Sequence, residues 1–192
     1  MIELQNPDPH SRAEILSAID DAVDQASSFY TSLGPEIFFH DGLGGWSPAQ
    51  NISHIADITS LAVLLFRMPK FFLLPFGRRK TQKNFSTLLS EYIGAEKPIF
   101  IGPLAPSSIP LPENAQETVQ KLTARFRNMF QDLKKVLQEI PEEEFDRYSM
   151  PHPSLGMLSF REMVYVVIIH IIHHTYKVEK KTGRLIKKAA PI

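Results

Sequence analysis

The sequence predicts an all-α fold, a four-helix bundle with a long insert between its second and third helices. Three observations predict it. Four segments carry apolar residues at three- and four-residue spacing, the pattern of helices that bury one face. Each of the four opens with Ser or Asn followed three residues later by Glu or Gln, the spacing of a capping box. Strand signals are weak throughout the chain.

The first segment, residues 12–33, follows Ser11 and Glu14. Ile15, Ile19, Val23, Ala26, Tyr30 and Leu33 form its stripe, and Gly34-Pro35 stops it. Gly42, Gly44 and Gly45 loosen the chain before Trp46. The second, residues 47–68, opens at Ser47 and Gln50. Pro48 is at its first position, where a missing N–H costs nothing, and Pro69 ends it. The third, residues 115–140, follows Asn114 and Glu117. It has the clearest stripe: Val119, Leu122, Phe126, Met129, Leu133, Val136 and Ile140. The fourth, residues 160–181, follows Ser159 and Glu162. It is expected to end at Gly183, with Lys180 and Lys181 facing the negative end of the helix dipole.

Residues 69–113 are too long for a bare connection in a compact domain. A short helix is expected around residues 85–92. Pro98, Pro103, Pro106, Pro110 and Pro112 predict irregular, extended chain in the second half.

Composition sets further bounds. The 192 residues fit a single domain, 1–192. Net charge is zero with histidine neutral, which argues against a strongly basic surface and predicts no nucleic-acid partner. Cysteine is absent, so neither a disulfide nor a thiolate belongs to this chain. The N-terminal residues lack a signal-peptide pattern, and the longest apolar run, 163–172, is too short to span a membrane. The expectation is a cytoplasmic protein without a transmembrane segment.

Chemistry concentrates in the histidines. On a helical wheel, His174 lies within roughly 40° of the stripe residue Phe160 and His170 within about 80°. His173 lies nearer the far edge. His170 and His174 are therefore the inward pair, at i and i+4, able to converge on one ion. His54 lies among Ile52, Ile55 and Ile58 in the second helix, which a bundle lets face the fourth. Three neutral imidazoles suit Zn²⁺, Ni²⁺, Fe²⁺, Co²⁺ or Mn²⁺, with zinc and nickel the leading candidates. Three protein ligands leave an open position, the pattern of a catalytic site.

These residues resemble the DinB/YfiT-like family. Trp46-Ser47-Pro48 starting the helix that carries His54 is similar to its first signature. The run from His152-Pro153-Ser154-Leu155-Gly156 to Met163 is similar to its approach to the last helix. His170-Ile171-Ile172-His173-His174 is similar to its closing histidine motif. The resemblance implies an up-up-down-down four-helix bundle and a metal held by His54, His170 and His174. It also implies chemistry on a small-molecule substrate. Relatives include transferases and isomerases that use low-molecular-weight thiols, and many others are candidate hydrolases. The family's name implies no DNA binding. The chain departs from the family at Thr175-Tyr176-Lys177, where many members have Arg-Gly-Gln or Arg-Gln, and in its long insert.

Asp57, one turn after His54, is a candidate hydrogen-bond acceptor for a ligating histidine or a general base, against a solvated or capping role. Glu162 fits the capping box better than the site. His173 fits the bundle edge better than a ligand, and His152 a structural loop role. Trp46 fits a staple at the start of the second helix better than a substrate platform.

Residues 69–80 place Phe71, Phe72, Leu73, Leu74 and Phe76 before Arg78, Arg79 and Lys80. The readings are a core-packed segment, a lid over the metal pocket, a homodimer contact, or a peripheral membrane contact. Two functions follow. One is a metal-dependent hydrolase or thiol S-transferase. The other is a non-catalytic helical-bundle interaction module acting through residues 69–80.

Overall fold

The computed structural model describes residues 2–41, 45–78, 81–94 and 105–189, with side chains to residue 183. Gly42, Gly44, Arg79, Lys80, Pro98 and Pro103 lie outside the described residues. The bundle helices are α1 (Arg12–Ser32), α3 (Pro48–Arg67), α5 (Ala115–Glu139) and α6 (Phe160–Ala189). A single turn, α2 (Pro35–Phe38), follows α1. A 3-10 helix (Lys70–Phe76) and α4 (Phe85–Gly94) occupy the insert, while Pro106, Pro110 and Pro112 lie in irregular chain.

Three of the four capping boxes form. Ser11 with Glu14 and Ser47 with Gln50 satisfy each other's backbone N–H. Glu162 accepts from the Ser159 N–H at 2.7 Å, and Ser159 Oγ accepts from the Glu162 N–H at 3.2 Å. The fourth does not form. Asn114 sits at φ −94°, ψ 47°, outside the extended region an N-cap needs, and its amide bonds the Glu117 side chain instead.

Two expectations about boundaries are corrected. Helix α6 passes Gly183 and continues to Ala189. One interior glycine costs a helix only about 1 kcal/mol, and the next proline is Pro191. Ahead of α6 the chain forms a hairpin, β1 (Ser149–His152) and β2 (Gly156–Ser159), with Ser149 opposite Ser159 and His152 opposite Gly156. Gly156 has φ 74°. Glycine tolerates that conformation after a three-residue loop, and Pro151 and Pro153 mask so short a strand pair in sequence.

Ring and side-chain contacts fix the helix directions. Phe66 at the end of α3 packs on Phe160 at the start of α6, 5.2 Å between centroids. Arg12 at the start of α1 donates to Ile140 O just past α5 at 2.8 Å, and Arg161 at the start of α6 bonds His10 O. One end of the bundle therefore gathers the starts of α1 and α6 and the ends of α3 and α5. The order is up-down-down-up, which corrects the up-up-down-down expectation. Helices α3 and α5 run parallel, so the chain must climb back along the bundle between them. Residues 69–113 make that climb.

The buried apolar side chains form one cluster shared by all four helices, including Ile15, Ile52, Phe126, Phe130 and Ile168. Helix α4 packs on α6, with Phe85 edge-on to Tyr165 at 5.6 Å. Glu162 holds its base, accepting from the Lys83 N–H at 2.9 Å. Among the described residues no single helix is long and apolar enough to cross a membrane.

Candidate metal centre

His54 lies six residues inside α3, and His170 and His174 lie in the second half of α6. Antiparallel packing of these helices brings the three together. The ring centroids are 5.0 Å apart for His54–His170, 4.9 Å for His54–His174 and 4.4 Å for His170–His174. One nitrogen from each ring lies within 4.8 Å of the other two. Three imidazoles gathered this closely form a donor set that one divalent ion can draw on.

Two neighbours orient the rings. Asn51 Oδ1 lies 2.7 Å from His174 Nδ1. The Asn51 amide nitrogen donates to Trp46 O at 3.1 Å and Ser47 O at 2.9 Å. Those two bonds fix which end of the amide is oxygen, so His174 Nδ1 must carry the proton. The lone pair of His174 is then on Nε2. His170 Nδ1 lies 2.8 Å from the Tyr92 hydroxyl, supplied by α4. Its Nε2 is buried without a hydrogen-bond partner. A buried polar nitrogen left unsatisfied is costly, and a metal ion would satisfy it.

Burial holds the pair neutral. Desolvation pushes the His170 and His174 pKa values well below the usual histidine range, and the neighbouring imidazoles add to the effect. His173 is lowered to about 4, mainly by burial. Neutral imidazoles are the form that binds metal. The donor set, its protonation and the orphaned nitrogen all fit a divalent ion.

Trp46 is a wall of this site rather than a distant staple. Its ring lies 4.8 Å from that of His54 and stacks on His174 at 5.8 Å and 8°. His173 is half-buried against the Tyr92 ring at 5.3 Å. His152 Nδ1 accepts from the Ser154 and Leu155 N–H groups at 3.3 and 3.2 Å, holding the hairpin loop. Glu162 is spent on its cap and on Lys83. Asp57 is not brought to the histidines. It is exposed on the outer side of α3 and ion-paired with Arg125 of α5.

The sequence reading missed Asn51 and Tyr92. The available signal for Asn51 was a polar residue between the apolar Ala49, Ile52 and Ile55. Tyr92 carried none, because only the docking of α4 places it.

A family model decides the affiliation, matching residues 36–177 to the DinB superfamily. The chain belongs to the DinB superfamily. That span contains all three histidines, Asn51 and Tyr92. Membership and the three-histidine cluster together fit a metal-binding DinB-like protein. No curated protein matches the chain. Among solved structures it is similar to the crystal structure of the colibactin self-resistance protein ClbS in complex with a dsDNA. The identity is 16% and the TM-score 0.48, over 90% of this chain and 97% of that one. That structure contains a dsDNA, which runs against the expectation of no nucleic-acid partner. The expectation rested on net charge, which averages over local patches and so cannot exclude one.

Proposed function

We propose that this DinB-superfamily chain is a metal-dependent enzyme with His54, His170 and His174 as the ligands of one divalent ion, zinc or nickel. The observation that carries the reading is the convergence of three imidazoles within 4.8 Å, with His170 Nε2 buried and unpartnered among them. When bound, an ion with three protein ligands supplies Lewis acidity to a water or a low-molecular-weight thiol, for hydrolysis of or S-transfer to a small electrophile. Asn51 fixes the tautomer of His174. Tyr92 does the corresponding work at His170. The Trp46 indole covers two of the rings and keeps water off that side. His170 keeps a partly exposed edge, the side from which a substrate would approach.

The test is elemental analysis of protein purified without a His tag, beside His54→Ala. One ion per chain, lost in the variant, is the expected result. No ion in either protein after incubation with Zn²⁺ and with Ni²⁺ removes the basis of the reading. Loaded protein is then assayed against ester, amide and thiol-acceptor substrates.

A further inference from the structure

The feature that the metal centre leaves unused is the 3-10 helix at the other end of the bundle. Phe71, Phe72, Leu74 and Phe76 are 61%, 53%, 62% and 47% exposed, while Leu73 alone is buried. The core-packed reading of this segment is thereby corrected. The lid reading fails on distance. Thirteen residues of α3 separate His54 from Arg67, about 20 Å of helix. The segment leaves α3 at 93° and so lies across the bundle end. Lys70 anchors it, donating to Phe66 O at 3.3 Å and sitting 4.4 Å over the Phe160 ring.

Four large apolar side chains held in water within six residues call for a partner. Charge indicates which. Between Asp57 and Glu91 the sequence has no acidic residue and six basic ones, Arg67, Lys70, Arg78, Arg79, Lys80 and Lys83. Arg67 and Arg78 are exposed beside the apolar face. Next to it runs a groove of about 660 Å³ lined by Leu73, Leu74, Gly77, Arg78, Glu143, Asp146, Arg147 and Tyr148. Arg161 neutralises Asp146 through two bonds of 2.9 Å. Glu142 also faces Arg161, at 3.4 Å, and Glu144 faces Lys70, which leaves Glu143 against the guanidinium groups of Arg78 and Arg147.

We infer that this end of the bundle docks on an anionic phospholipid surface. Phe71, Phe72, Leu74 and Phe76 enter the acyl boundary, and Arg67, Arg78 and Arg147 meet phosphate groups. A short segment lying flat, apolar on one side and basic at its margin, is the form that interfacial binding takes. A second copy of the chain would offer the apolar contact but would set like charges against each other. Duplex DNA would offer phosphates but no apolar layer for four side chains. The inference stands independently of the metal reading.

The experiment is co-sedimentation of the full chain with phosphatidylglycerol vesicles and with phosphatidylcholine vesicles, at low and high salt. The variants are Phe71→Ser/Phe72→Ser and Arg67→Gln/Arg78→Gln. All four substitutions fall on exposed side chains, and metal content and circular dichroism serve as folding controls. Binding to phosphatidylglycerol alone is expected, weakened by salt and by the arginine variant. Removing the two phenylalanines lowers the partition constant on the order of a hundredfold. Three outcomes overturn the inference. They are absent or equal binding to both lipids, displacement from vesicles by duplex DNA, and a vesicle-free dimer in light scattering that the phenylalanine variant dissociates.

Discussion

Asn51 Oδ1 accepts from His174 Nδ1 at 2.7 Å while the same amide donates to Trp46 O and Ser47 O. One buried side chain thus ties the turn before α3 to His174 on α6. Two variants separate its two roles. Asn51→Leu removes all three bonds, and each stranded buried group costs about 1–3 kcal/mol. It also frees the His174 ring, for a loss of about 10–100-fold in metal affinity. Asn51→Asp still accepts from His174 but cannot donate to the two carbonyls. Its melting temperature falls while its zinc affinity in a chelator competition stays near that of the parent. Equal affinity in the Leu variant would remove Asn51 from the site.

Tyr92 stands to His170 as Asn51 stands to His174, but from the insert. Its hydroxyl is 2.8 Å from His170 Nδ1, and burial raises its pKa, so it is a neutral phenol. With the ion on Nε2, Nδ1–H donates to the phenol oxygen. Tyr92→Phe keeps the ring against His173 and removes only that acceptor. The expected result is a metal affinity about 10–100-fold lower, with a shifted visible spectrum for the Co²⁺-substituted protein. An unchanged spectrum and affinity would make the tyrosine a packing residue alone.

How much of this was legible follows from particular residues. The four helices announce themselves through Ser11, Ser47, Ser159 and their stripes, because capping and periodicity are local. The wheel put His170 and His174 on the inner face and His173 at the edge, and the structure agrees. Helix direction is not local, yet it was available. A bundle with two parallel sequence neighbours needs one long crossover, and an up-up-down-down bundle needs two. Residues 69–113 are by far the longest connection and so the natural place for the single crossover. Tyr92 and Trp46 could not be read as site residues, since one depends on how α4 docks and the other on which ring its loop meets.

Asp57 is one turn from His54, yet the structure leaves it exposed beside α5, paired with Arg125. Both side chains of that pair are nearly half exposed, 44% and 47%. Such a pair contributes about 0–1 kcal/mol. Asp57→Ala is therefore expected to leave metal stoichiometry and turnover unchanged and to move the urea midpoint only slightly. A collapse of turnover with the metal retained would return Asp57 to the role of base.

The acid stability of the metal-free protein follows from the same burial that keeps the imidazoles neutral. In the unfolded chain the three histidines of α6 titrate near the ordinary value of about 6.5. In the folded chain His173 is lowered to about 4 and His170 and His174 lie well below 6.5. As pH falls through about 6.5 the unfolded state takes up protons first, so stability is complete above that value and declines below it. The contribution of His173 is lost between about 6.5 and about 4, and that of the other two continues downward. A bound ion competes with those protons, so loaded protein releases metal in the same window. Urea midpoints of the apo protein should be flat from about pH 8 to about 7 and fall steadily toward about pH 5. In His170→Gln/His174→Gln the decline should be shallower, since two of the titrating groups are gone. A midpoint in the parent that does not move across this range would show that the rings take up protons as readily in the fold as outside it, and that the cluster is wet and open.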